Sequence, residues 1–91
     1  MKIRVLITVS GKVQGVGFRR CAGEAARCHG VAGWVKNLYN GDVQLCIEGE
    51  RKNVRALIEW CHKGPPLSKV IGVTVEPSVF REEFTEFAII S

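Results

Sequence analysis

This chain of 91 residues predicts an α+β sandwich, with two helices laid on one face of a mostly antiparallel sheet. Three observations carry that prediction. Apolar and polar residues alternate along 3–9, 31–38, 42–48 and 69–76, the period of half-buried strands. Residues 19–29 and 54–61 instead carry small or apolar side chains three and four apart, the spacing of one helix face. Between the second and third strand segments stands Asn40-Gly41, a strong short-range signal for a hairpin.

The first strand places Ile3, Val5, Ile7 and Val9 on one face. The first helix carries Ala22, Ala25, Ala26 and Cys28 at helical spacing; Gly23 weakens it and Gly30 stops it. Across the hairpin, a two- or four-residue loop pairs odd positions of one arm with even positions of the other. That parity buries Ala32, Trp34 and Leu38 with Val43, Leu45 and Ile47. It turns Asn37 to the opposite face, beside Gln44 and Cys46, where Glu48 is also exposed. Val54, Leu57, Ile58 and Cys61 form the stripe of the second helix, with Trp60 on its flank. Gly64-Pro65-Pro66 ends that helix. The fourth strand presents Ile71, Val73 and Val75 to one face, and residues 84–90 give a short fifth. The order βαββαβ is that of the ferredoxin-like α/β sandwich. In this topology the first two strands run parallel with the third between them, so both end at one edge of the sheet. A loop after the first strand is then a neighbour of Asn37, across two strand spacings of about 10 Å in total.

Length and composition bound the function. The chain suits one domain, residues 1–91, around one core. A hydrophobic content of 46% with 24% charged residues excludes a disordered chain. No apolar run approaches the ~18 residues of a membrane span, and Met1-Lys2-Ile3 leads straight into a strand without a signal-peptide pattern. A cytoplasmic monomer with no membrane attachment is expected. The net charge of +4 favours an anionic small molecule, but no basic run exceeds two residues, so no nucleic acid partner is indicated. Cys21, Cys28, Cys46 and Cys61 form no C-x-x-C pair and no zinc spacing with His29 or His62, so no metal is expected. Cys21 and Cys28, seven apart on one helix, lie about 10 Å apart, beyond the roughly 7 Å a disulfide spans. The cysteines read as free thiols packed as small apolar groups.

The most informative stretch is 11–20, Gly-Lys-Val-Gln-Gly-Val-Gly-Phe-Arg-Arg, at the junction of first strand and first helix. Its glycines let successive N–H groups converge in an anion-binding nest, and the helix N-terminus adds partial positive charge. Arg19 and Arg20 stand where cations are disfavoured by roughly 0.3–1 kcal/mol each. A bound anion, of phosphoryl type, offsets that repulsion. Gln14, Gly15, Val16, Gly17, Phe18 and Arg19 are the candidate phosphate-binding residues. This is no Walker loop, since no Gly-Lys-Ser/Thr follows at the required spacing. It is no dinucleotide fingerprint either, because Arg20 stands where Gly or Ala is needed.

Val-Gln-Gly-Val-Gly-Phe-Arg at 13–19, Gly-Trp-Val-Lys-Asn at 33–37, Asn-Gly at 40–41 and Gly-Pro-Pro at 64–66 resemble the acylphosphatase family. The resemblance runs from the first strand to Phe87 and Ile89. It implies hydrolysis of carboxyl-phosphate anhydrides on a ferredoxin-like fold, with no cofactor. It also implies that Arg19 holds the phosphate and that Asn37 positions the attacking water. The residues fit that chemistry. A backbone nest and a bidentate guanidinium supply positioning and charge stabilisation for phosphoryl transfer, and an amide holds water by donor and acceptor together. Neither motif contains an Asp, Glu or His to act as general base. That suits an acyl phosphate, with its good leaving group, better than a phosphomonoester. Inorganic phosphate and sulfate are expected to compete.

Plainer readings stand beside these. The glycines serve equally as a tight turn, Arg20 as a solvated charge, and Asn37 as a strand-end polar group. His29 and His62 suit the last turns of their helices, and Glu24 reads as a surface charge. A non-catalytic phosphate-sensing module on the same fold would also use the nest. Sheet-face RNA recognition is disfavoured, because the third strand, Val-Gln-Leu-Cys-Ile-Glu, has no aromatic residue.

Overall fold

A computed structural model describes residues 1–90. Its elements are β1 (Lys2–Lys12), α1 (Phe18–His29), β2 (Ala32–Asn37), β3 (Val43–Glu50), α2 (Arg51–Lys63), β4 (Lys69–Ser78) and β5 (Phe87–Ile90). The five strands form one sheet in the order β4-β1-β3-β2-β5. Strand β3 is antiparallel to both β1 and β2, which therefore run parallel and end at the same edge. Strand β5 adds to β2 in parallel. This is the ferredoxin-like α+β sandwich that the hydrophobic pattern predicts.

Odd-numbered positions build the core from the sheet side. Val5, Ile7 and Val9 of β1 stand opposite Ile47, Leu45 and Val43 of β3. All six are buried, under Ala22 and Ala26 of α1 and Val54, Leu57 and Cys61 of α2. Cys28, expected on the inner stripe of α1, is exposed, because that helix buries Phe18, Ala22, Gly23 and Ala26 instead. None of the four cysteines is paired.

The hairpin parity differs from the expectation, and the turn explains why. The Leu38 N–H donates to the Asp42 carbonyl at 2.8 Å, so the loop proper is three residues, Tyr39 to Gly41. Gly41, with φ of 98°, takes the left-handed position such a loop requires. An odd loop count pairs odd with odd, Val35 with Leu45 and Asn37 with Val43. Gly33 and Val35 are therefore the buried residues of β2, while Trp34 pairs with Cys46 on the opposite face and is half-buried there. The Lys36 ammonium lies over the Trp34 ring, 5.0 Å from its centroid. Asn37 falls on the helix-facing side.

A second irregularity changes β4. The β1–β4 register shifts between Ser10 and Gly11, leaving Ile71 without a partner. Such a bulge reverses the alternation, so Ile71 is 74% exposed while Val70 and Val73 pack against the core. The face opposite the helices is also less open than expected. Residues 79–86 bring their backbone to Glu48, and both Cys46 and Glu48 are buried.

Candidate active site

Strand β1 leads into the glycine-rich segment, and the segment leads into α1 through backbone that only glycine adopts readily. Gly15 and Gly17 have φ of 75° and 78°. Space is not the reason for glycine here. A Cβ at Gly15 would meet nothing within 4 Å, and one at Gly17 only the end of Arg20 at 3.9 Å. The left-handed conformation is the reason, and it directs neighbouring N–H groups to one side as an anion nest does. Gly17 caps α1 without a side chain, and the first turn contains no acidic residue. The N–H groups that a helix leaves unpaired at its start therefore face no anionic side chain of their own turn.

The side chains around the nest hold it from beneath. Phe18 is fully buried and meets Trp60 of α2 edge-on, with ring centroids 5.1 Å apart. That contact fixes where α1 begins, and Trp60 covers the helix flank as expected. Val16 packs partly into the core. The Gln14 side chain turns away to the β2–β3 hairpin. Val16 and Gln14 shape the loop and its backbone rather than lining the space in front of it, whereas Phe18 does both.

Arg19 and Asn37 meet in that space. A cavity of about 380 Å³ opens between the loop and the end of β2, bounded by Gly15, Gly17, Arg19, Arg20 and Asn37. Phe18 and Ile89 contribute apolar wall, and no acidic side chain lines it. Arg19 donates from Nη1 to the Ile90 carbonyl of β5 at 3.1 Å, which spends one of five guanidinium donors and orients the rest. Among the described residues the Asn37 amide has no hydrogen-bond partner. Arg20, read from sequence as a solvated charge, is exposed yet reaches the same cavity. His29, His62 and Glu24 lie outside it.

The corrected parity matters most here. On the face the sequence pattern assigned to it, Asn37 would have had the sheet between itself and α1. The three-residue loop turns it to the side where α1 starts. Sequence reasoning missed the Gln14 side chain and the Ile90 carbonyl as anchors. A polar residue placed between Val13 and the glycines was the available signal for Gln14; a backbone acceptor such as Ile90 leaves none. Among the described residues no group of three or more His, Cys, Asp or Glu side chains is placed to hold a metal ion, and no helix is long and apolar enough to cross a membrane.

The acylphosphatase family profile matches residues 5–89. A relative called acylphosphatase from Geotalea uraniireducens is 53% identical over 89 residues, covering 98% of each chain. Among solved structures, an acylphosphatase from Coxiella burnetii superposes with a TM-score of 0.93 at 40% identity, covering 98% of this chain and 93% of that one. An acylphosphatase from Bacillus subtilis superposes with a TM-score of 0.94 at 36% identity, covering 98% and 99%. Chains this similar over nearly their whole length share a family as well as a fold, and this chain belongs to the acylphosphatases.

Proposed function

We propose that the enzyme hydrolyses the carboxyl-phosphate bond of acyl phosphates by direct attack of water on phosphorus, with Arg19 and Asn37 as its catalytic residues. The N–H groups of residues 14–19 and the Arg19 guanidinium hold the phosphoryl oxygens. The Asn37 amide holds the water opposite the leaving group. As the water oxygen bonds to phosphorus, the P–O bond to the acyl group breaks and the carboxylate departs with that electron pair. The proton lost by the water passes to a phosphoryl oxygen, so no protein base is required. Residues 1–91 act as one such domain, a cytoplasmic monomer, with phosphate and sulfate competing at the nest.

One observation supports this reading above the rest: Arg19 at the start of α1 and Asn37 at the end of β2 open onto one cavity around two left-handed glycines. The nest and Arg19 neutralise charge on the transferring group, which is most of what phosphoryl transfer asks of a protein.

The test separates the two residues with benzoyl phosphate as substrate, EDTA present and inorganic phosphate as inhibitor. Arg19 meets the anion throughout the reaction, so Arg19→Ala is expected to lower kcat and weaken phosphate inhibition together. Asn37 touches only the water. Asn37→Ala is expected to lower kcat by about 10²-fold or more while the phosphate inhibition constant stays nearly constant. A folded Asn37→Ala enzyme with wild-type kcat would remove Asn37 from the mechanism. No turnover by the parent enzyme would favour a phosphate-sensing module.

A further inference from the structure

We infer that the Gln14 side chain is a positioning residue that sets the gap between the phosphate loop and Asn37; this rests on the catalytic reading of Asn37 above. Its Nε2 donates to two carbonyl oxygens at once, Leu38 at 2.7 Å and Asp42 at 2.9 Å. Two acceptors flank that end of the amide, so the amino group must point there. Those carbonyls sit on either side of the neck of the β2–β3 hairpin, where Leu38 N–H donates to Asp42 and Gly41 N–H donates to Leu38. Leu38 follows Asn37 directly.

The connection is therefore short and polar. One end is the first residue of the nest, next to Gly15; the other is the residue after Asn37. No backbone hydrogen bond of a sheet can do this work, because β1 and β2 are separated by β3. The hairpin is stiff enough to transmit the restraint. Asn40 and Asp42 bond to each other through Asn40 Nδ2 and through the Asp42 N–H. Losing the clamp leaves the loop conformation intact, since the glycines and Phe18 fix that. It frees the hairpin neck and lets the water-holding amide wander relative to the phosphorus. Misplacement of this kind lowers turnover more than binding.

The experiment measures kcat for benzoyl phosphate and the inhibition constant of inorganic phosphate in Gln14→Met, Asn37→Ala and the double variant. Methionine keeps the length of the side chain and removes both donors. Gln14→Met is expected to lower kcat about 10-fold or more and to change the phosphate constant less than about 3-fold. In the Asn37→Ala background the same change should cost less than about 2-fold further, because both losses act on one water. Losses that multiply, phosphate affinity that falls in step with kcat, or wild-type kcat in Gln14→Met would each overturn the inference while leaving Asn37→Ala to judge the catalytic reading by itself. Gln14→Glu supplies a second check should the Met variant fold poorly. Its carboxylate faces two carbonyl oxygens, and protonation restores one donor. Its kcat relative to the parent should recover as pH falls from about 8 to about 5; a ratio constant across that range would count against the clamp.

Discussion

At the Glu48 end of β3, backbone N–H groups and an arginine close around an anion that the chain itself provides. The Glu48 carboxylate accepts N–H groups of Arg81 at 2.8 Å, Glu83 at 2.9 Å and Phe84 at 3.4 Å, and Arg4 Nη1 at 3.4 Å. Arg4 also pairs with Glu83 and lies over the Phe84 ring. At the other end of the sheet, the glycine loop offers N–H groups beside Arg19, and no acidic side chain lines that cavity. The first assembly is satisfied from within and fastens residues 79–86 to the sheet. The second carries positive charge at a helix start without a compensating carboxylate. The same physical elements make a structural joint in one place and, in the reading proposed above, a ligand site in the other, according to whether the chain supplies the anion.

The comparison predicts opposite signatures for conservative changes at the two ends. Arg19→Lys keeps the charge and loses the planar fork, so the two parallel hydrogen bonds to a phosphoryl group cannot form. We expect kcat/KM for benzoyl phosphate to fall by about 10²-fold or more, with the thermal midpoint nearly unmoved. Retention of most activity would show that a point charge suffices there. Glu48→Gln keeps the shape and removes the charge from a side chain only 2% exposed. Its amide nitrogen would face backbone donors, and Arg4 would lose a partner. A loss of roughly 2–4 kcal/mol in denaturant-derived stability is expected, with little change in kcat for the folded fraction. A Glu48→Gln protein of parental stability would mean that the 79–86 segment is held by Phe80 and Phe84 rather than by the carboxylate.

The two ends also differed in how far the sequence disclosed them. The loop was legible because glycines, arginines and strand boundaries fall within ten residues. Side-chain period and composition announce local features of that kind. The Glu48 joint was not legible, since it depends on a segment more than thirty residues away supplying backbone N–H groups that carry no sequence identity. Phe80 and Phe84, two aromatics in an otherwise charged stretch, were the available hint. Asn37 lay between these cases. Its identity stood out, but its face depended on whether the Asn40-Gly41 turn closed with an even or odd loop, and one residue reverses every side chain of a strand. The bulge at Ile71 misled in the same way.

Acid should expose the joint before the site. Burial pushes the Glu48 carboxyl up, but the N–H groups of Arg81, Glu83 and Phe84, with Arg4, outweigh it and hold it below the ordinary 4.5. A carboxylate depressed by folding stabilises above its unfolded value, and that contribution is lost as pH falls through the folded value. Stability should therefore decline below about pH 4.5, and Glu48→Gln should flatten that decline. Equal acid sensitivity in the two proteins would place the titrating group elsewhere. At the alkaline side the sign reverses. Cys61, buried in α2, is pushed up to about 12, so its neutral form stabilises the fold fully below about 9 and progressively less as pH rises toward 12.

The smallest predicted effect asks whether the two kinds of assembly can be tuned independently. Gly23 sits mid-helix in α1, where glycine costs about 0.5–1 kcal/mol relative to alanine. A methyl group there would meet Ile89 Cδ1 and Arg27 Nη2, both at 3.4 Å. These are ordinary contacts with the ends of flexible side chains, so Gly23→Ala should raise stability by about 0.5–1 kcal/mol. The same contact reaches β5 one residue before the carbonyl that holds Arg19. If packing of α1 on β5 and orientation of Arg19 are separable, kcat and phosphate inhibition will be unchanged while the unfolding midpoint rises. A stabilised protein with lower kcat and weaker phosphate inhibition would show instead that the glycine sets the distance between α1 and β5 on behalf of the arginine. The small residue would then belong to the site's architecture rather than being a tolerated flaw in a helix.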